Sequence, residues 1–342
     1  MKVGLTYNIK KVGSKESEYV SSLPPDFFAE WDDEDTIESV RKALSIKHDV
    51  IMIEADEGAY KKLKSGRPQI IFNIAEGLWG QSRESQIPAM LDMLRIPYTG
   101  SGPMTLGICL DKARAKEILS YHDIPTAGFF VAHSPLATHH SPLSYPLIVK
   151  PLYEGSSKGI RNNSIVNDET ELRERIKWII TEYNQPALVE EFLDGREFTV
   201  AMLGNDSGLK ILPIVEINYS SLPAGMNPIY SYEAKWIWDT PDSPLEIFKC
   251  PADIDNRLKD SIEKICRDAF NVLDIKDWCR IDIRLDMKGQ PHILELNPLP
   301  GILPDPKSNS CFPKAARAAG MGYDGLINAV LEAACKRHGL KP

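Results

Sequence analysis

Cys279-Arg280-Ile281-Asp282-Ile283-Arg284-Leu285-Asp286 runs into Met287-Lys288-Gly289-Gln290 and then into Pro291-His292-Ile293-Leu294-Glu295-Leu296-Asn297-Pro298. The first run alternates polar and apolar residues, the period of a half-buried strand. Lys288-Gly289 reads as a tight two-residue hairpin turn. That turn sets Asp282 across from Glu295 and Arg280 across from Asn297. A period of two then puts all four side chains on one face. Two facing carboxylates repel unless a cation lies between them. Asp, Glu and Asn all offer oxygen, the ligand type that Mg²⁺ takes, with substrate phosphates completing its shell.

The 342 residues are enough for two or three domains and a large core. A formal net charge of -8 argues against a general nucleic-acid binder, so any phosphate site must be a local basic cluster. No apolar run is long enough to span a bilayer. The N-terminus, Met1 to Tyr7, reads as a short strand rather than a signal peptide. Six scattered cysteines without a CxxC pair read as free thiols in a reducing cytoplasm.

The first hundred residues alternate strands and helices, which predicts a parallel sheet. Strands are expected at Lys2 to Tyr7, Asp49 to Ile53 and Gln69 to Ile74, the last nearly all apolar as buried parallel strands are. An acidic helix start, Trp31 to Asp35, suits the helix dipole. Glu76 follows the third strand, at the strand end where open α/β sheets bind ligands. Helices are expected at Arg83 to Leu94 and Asp111 to Leu119. Pro135 to Pro146 is a loop whose His139-His140 lacks companion metal ligands. Leu147 to Pro151 is a strand carrying Lys150, followed by Glu154-Gly155-Ser156-Ser157-Lys158-Gly159. Such a turn can aim backbone N–H groups at phosphate oxygens, although no GKS/T opens a helix as in a Walker loop. Further strands are expected at Ala187 to Leu193 and Glu197 to Met202, with a helix from Asp255 to Asn271. The Pro/Asp-rich segment from Trp236 to Pro251 has the length and composition of a lid.

In this order the pieces resemble the ATP-grasp superfamily and, within it, the D-alanine–D-alanine ligases. The match is carried by Pro97-Tyr98-Thr99-Gly100-Ser101-Gly102, Asp111-Lys112, Ile148-Val149-Lys150-Pro151, Glu154 to Gly159, Glu190 with Glu197-Phe198-Thr199-Val200, Tyr232-Glu233-Ala234-Lys235, Arg280-Ile281-Asp282, Glu295-Leu296-Asn297 and Pro300-Gly301. The resemblance implies an α/β, three-domain ATP-grasp fold with an N-terminal parallel-sheet domain at 1–105. A central ATP-grasp subdomain at 106–202 and a C-terminal one at 203–342 would follow. It implies an ATP-dependent carboxylate–amine ligase that forms a peptide bond through an acyl phosphate. Lys112, Lys150 and Lys235 would contact ATP phosphates, and Glu154, Ser156 and Ser157 would lie in the loop over them. Glu190, Glu191, Phe192 and Leu193 would line the adenine pocket, and Glu197 would hold the ribose. Asp282, Glu295 and Asn297 would bind two Mg²⁺ ions, with Mn²⁺ as the alternative. Arg280 and the Gly301 N–H would form the oxyanion hole, with Ser156 beside them. The resemblance also suggests a homodimer and small amino-acid or short-peptide substrates, with no nucleic-acid or membrane partner.

Departures from the family fall on the amino-acid pocket. The family's Gly-Gly-x-Ser-x-Glu-x-x-Val-Ser signature, whose Glu holds the first ammonium group, is missing after the first strand. Glu16, Glu34 and Glu76 are the candidate replacements. Trp236 stands where the family has Tyr, so an acceptor is lost. Leu303 to Lys307 lengthens the loop after Gly301, and the family serine maps to Ser310 or Ser308. Retained nucleotide residues with an altered pocket predict a ligase for another substrate. The alternatives are an inactive nucleotide-binding regulator of the same fold and an ordinary D-alanine–D-alanine ligase.

Overall fold

The computed structural model of the chain describes residues 1–10, 24–136, 143–239 and 245–341. Glu16, His139-His140 and residues 240–244 of the expected lid lie outside the described residues, as does the side chain of Trp236. Among the described residues, no helix is long and apolar enough to cross a membrane.

The N-terminal sheet is parallel, as its alternating pattern predicts. It contains β1 (Lys2–Tyr7), β2 (Asp49–Glu54) and β3 (Ile70–Asn73) in the order β2-β1-β3. Helix α1 (Glu34–Ser45) starts where Asp33 accepts a hydrogen bond from the Thr36 N–H, and it buries Ile37, Val40 and Leu44. Helix α2 (Ala59–Gly66) joins β2 to β3. The single helix expected at Arg83 to Leu94 is split into a 3₁₀ turn, Arg83–Ser85, and α3 (Gln86–Leu94). Pro88 explains the break, because it has no N–H to bond the carbonyl four residues back. Helix α4 (Pro103–Leu110) begins with proline at its first position, and Asp111 caps α5 (Lys112–Tyr121).

A second, antiparallel sheet follows, with β4 (Phe129–Ala132), β5 (Leu147–Pro151), β6 (Ile165–Val166) and β7 (Ala187–Glu191) in the order β4-β7-β5-β6. Helix α6 (Glu169–Tyr183) buries Leu172, Ile176 and Ile179 against Val149 and Val189.

The third sheet is the largest. It holds β8 (Glu197–Leu203), β9 (Lys210–Ile211), β10 (Val215–Ile217), β11 (Phe248–Lys249), β12 (Trp278–Leu285) and β13 (Pro291–Asn297). The order is β11-β10-β8-β12-β13, with β9 also on β8. Helix α7 (Asn256–Val272) covers one face, and α8 (Cys311–Ala318) and α9 (Tyr323–Arg337) join the core shared with α1. Strand β8, which a boundary at 202 would divide, belongs to this sheet.

Strands β12 and β13 form the expected hairpin with a different turn. The Asp286 N–H bonds the Gln290 carbonyl and the Gly289 N–H bonds the Asp286 carbonyl, so Met287, Lys288 and Gly289 make a three-residue loop. Gly289 takes the left-handed backbone (φ 75°) that such a turn requires. Leu285 pairs with Pro291 and Ile283 with Ile293, then a bulge leaves Leu294 unpaired. Beyond it Asp282 faces Glu295 and Arg280 faces Asn297.

Candidate active site

The hairpin face is neutralised from within the protein. Arg280 donates to both oxygens of Asp282, at 3.0 and 2.9 Å, and the Asn297 amide donates to Asp282 at 3.2 Å. Lys112, from the first turn of α5, pairs with Glu295 at 2.9 Å and also donates to the Glu154 carbonyl. Further along, Arg284 pairs with Glu197 at 2.9 Å. Burial raises the Glu197 carboxyl above its ordinary value, and Arg284 opposes that rise. Asp282, Glu295 and Asn297 present oxygen on one face, a donor set suited to a hard divalent cation. Among the described residues, no three His, Cys, Asp or Glu side chains are grouped to hold a metal without further ligands.

Glu190 is buried under two lysines. Lys116 pairs with it at 2.5 Å, and Lys150 closes on its other oxygen. Burial alone would raise the Glu190 carboxyl, but the two ammonium groups outweigh it and hold it below the ordinary range. Sequence reasoning missed Lys116. Its signal was there: it stands four residues after Lys112, on the same side of α5. Phe192 stacks under the Arg284 guanidinium (4.6 Å), and Glu190 to Leu193 do not line the large cavity described below. Lys150, Ile148 and Glu197 do.

The loop after β5 holds Ser156 and Ser157 in the left-handed region (φ 50° and 60°). Ser157 donates to the Tyr230 carbonyl at 2.8 Å. Glu154 faces away from the cleft and meets Lys158, Arg83 (3.3 Å) and Gln185 (2.8 Å). The loop is tied to the N-terminal domain through Glu30, which accepts from the Gly155 N–H at 2.6 Å, from Lys158 at 2.6 Å and from Arg83 at 2.7 Å. A side chain at Gly155 would place its Cβ 2.6 Å from the Glu30 carboxylate, so the approach needs glycine. Burial pushes the Glu30 carboxyl up, yet Lys158 and Arg83 prevail and lower it to about 2.

Two adjoining cavities complete the site. The larger, about 240 Å³, brings together Lys150, Ser156, Ser157, Glu197, Lys235, Arg280, Asp282, Glu295, Gly301 and Ser310. The smaller, about 90 Å³, shares Glu30, Asp32, Ser156, Lys235, Arg280, Glu295 and Gly301 with it and adds Glu76, Glu84 and Asn297. Glu34 is a correction: it sits exposed in the first turn of α1, facing solvent because the helix has begun by then. Glu30 and Asp32 enter the cleft instead, and no motif pointed to them. Burial, then repulsion from Asp33, pushes Asp32 up to about 8. Burial pushes Glu84 up to about 7, with Arg83 opposing and Glu30 adding. Burial, followed by Glu84 and Glu30, raises Glu76 well above the carboxylate range.

Lys235 lies on a short π-helix, Ala234–Trp238, and burial followed by Arg280 lowers its ammonium to about 8. The start of the expected lid is tethered, since Tyr230 donates to Asp239 at 2.6 Å and Asn309 does so at 2.7 Å. Ser310 closes the loop that follows Gly301, accepting from the Leu303 N–H and donating to the Gly301 carbonyl, both at 3.2 Å. Ser308 contributes its carbonyl to the Ser310 N–H.

Residues 118–332 match the family described as D-ala D-ala ligase C-terminus. An uncharacterized protein of Sinorhizobium fredii, y4sG, is 34% identical over 299 residues, 85% of this chain and 84% of that one. The D-alanine–D-alanine ligase of Bordetella avium is 35% identical over 269 residues, 78% of each chain. The crystal structure of the Bacillus anthracis D-alanine–D-alanine ligase complexed with ATP shares the fold, with a TM-score of 0.70 at 22% identity over 99% of both chains. A three-domain ATP-grasp architecture and these relatives lead to one conclusion: the chain belongs to the D-alanine–D-alanine ligase family of ATP-dependent ligases.

Proposed function

We propose that this ligase activates the carboxylate of an amino acid or short peptide as an acyl phosphate and joins it to an amine, in a pocket altered from that of an alanine ligase. The observation that most supports the reading is a cavity lined by Lys235, Arg280 and Gly301 together with Glu76 and Glu84, acidic side chains that no family motif places there. We propose three domains, with the middle one ending before β8.

In this reading Lys150 and Lys235 receive the ATP phosphates as point charges, and Lys112 holds Glu295 in place. The left-handed Ser156-Ser157 turn offers backbone N–H groups to the same oxygens. Glu197 takes the ribose hydroxyls. Asp282, Glu295 and Asn297 would hold Mg²⁺, which supplies charge neutralisation as the phosphoryl group moves. Arg280 and the Gly301 N–H receive the oxyanion when the amine attacks the acyl carbon. Phosphate leaves with the bond electrons, and the amine loses a proton.

Retention of Lys112, Lys150, Lys235, Arg280, Asp282, Glu295 and Asn297 in one assembly supports an active enzyme over an inactive regulator. The experiment is phosphate release from Mg-ATP across a panel of D- and L-amino acids, with product mass. Amino-acid-dependent release with a condensed product is expected. Release near background for the whole panel would sink the ligase reading. D-Alanine turnover of about ten per second or more, the median for enzymes, would show an ordinary alanine ligase.

A further inference from the structure

We propose that the small cavity takes a substrate with two positive charges, a diamino acid, and that Glu76 and Glu84 read its second ammonium group. This rests on the ligase reading, because the cavity is the one walled by Arg280, Lys235 and Gly301.

Five carboxylates and two cationic side chains line this cavity. Glu30, the carboxylate that reaches from the N-terminal domain, is already saturated by Arg83, Lys158 and the Gly155 N–H. Glu295 is held by Lys112. Asp32, Glu76 and Glu84 line the same cavity, and among the described residues none of them has an ion-pair partner. Glu84, Glu30 and Asp32 all repel the Glu76 carboxylate across this cavity. Carboxylates so placed are stable only when protonated or when a cation joins them. A zwitterion such as alanine brings one ammonium and one carboxylate, so its net charge is zero. Arg280 and Lys235 line the same cavity, and in the proposed reaction they serve the carboxyl group being activated and its phosphate, which leaves the ammonium groups to the acidic side chains. One ammonium then falls to Asp32 and leaves Glu76 and Glu84 facing a second. The cavity holds about 90 Å³ within the wider cleft, room for a short aminoalkyl chain.

The test is calorimetric titration of the full chain with Mg–AMP-PNP present, using D- and L-alanine, 2,4-diaminobutyrate, ornithine and lysine as probes. At least one diamino acid is expected to bind about tenfold tighter than either alanine. The Glu76→Gln/Glu84→Gln double variant should reduce that preference to about threefold or less. Its melting temperature should hold or rise, because like charges are removed. Alanine binding as tightly as every diamino acid overturns the proposal, as does a preference unchanged in the folded double variant or no binding by any probe. Should the variant fail to fold, Glu76→Gln alone gives the same comparison. Titration and phosphate release separate the two readings. A diamino-acid preference without ATP turnover with any amino acid sinks the ligase reading alone. Turnover that favours alanine over every diamino acid sinks only this one.

Discussion

Glu30 and Lys158, 128 residues apart, meet at 2.6 Å beneath the serine loop, where Lys158 is buried. The pair fastens the Ser156-Ser157 loop to the segment before α1, so two stretches distant in sequence share one bond. Removing the carboxylate leaves Lys158 and Arg83 buried with fewer partners. Glu30→Gln should cost about 3–5 kcal/mol in chemical denaturation, as breaking a buried ion pair does. Wild-type stability from this group is fully present above pH 4.5, the unfolded value, and is lost as pH falls toward about 2. A Glu30→Gln protein should lack that part of the acid slope.

Lys116 and Lys150 share Glu190, so their deletions should not add. Lys150→Met leaves Glu190 with Lys116 and is expected to cut the nucleotide-induced rise in melting temperature with a modest loss of basal stability. The Lys116→Met/Lys150→Met double variant strands a buried carboxylate and should lose about 3–5 kcal/mol. A double-mutant cycle by urea denaturation checks the coupling.

Lys235 has its ammonium lowered to about 8, so it loses charge as pH rises through that value. Nucleotide affinity should therefore fall above pH 8. Lys235→Arg keeps its charge and should flatten the profile. For folding the sign is opposite: the unfolded chain binds the proton more tightly between pH 8 and 10.5, so this residue's contribution to stability rises with pH there. Titration of a fluorescent nucleotide from pH 6.5 to 9.5 reads the first effect.

Asp239 gathers Tyr230, Asn309 and the Leu245 N–H. Asp239→Ala should free the chain on either side of it. Limited proteolysis should then cut between Trp236 and Pro251 faster than in wild type. Mg-ATP should protect wild type more than the variant.

Much of the frame is legible because it rests on periodicity. The apolar β3, the capped α5 and the alternating β12 follow directly from residue pattern. The facing of Asp282 and Glu295 comes from a bulge combined with a three-residue turn, not from the turn alone. A two-residue turn would give this pairing directly. The real turn has three residues and shifts the strands by one, and the bulge at Leu294 shifts them back. Neither offset has a strong local signal, since Lys288-Gly289 fits both turns. Glu30 was hidden because its partners, Arg83, Gly155 and Lys158, are distant in sequence. Glu154 and Glu190 pair with internal cations, Lys158 and Arg83 for one and Lys116 and Lys150 for the other, and a linear reading has no signal for such pairings.

The two cancelling offsets in the hairpin also govern how its length can drift through evolution. A single-residue deletion at Met287–Gly289, harmless in most surface turns, would carry the carboxylates of one strand to the opposite face. Only a compensating loss of the bulge would restore the pairing. Homologous hairpins should therefore vary in pairs, with short turns accompanying straight strands and long turns accompanying a kink near Leu294.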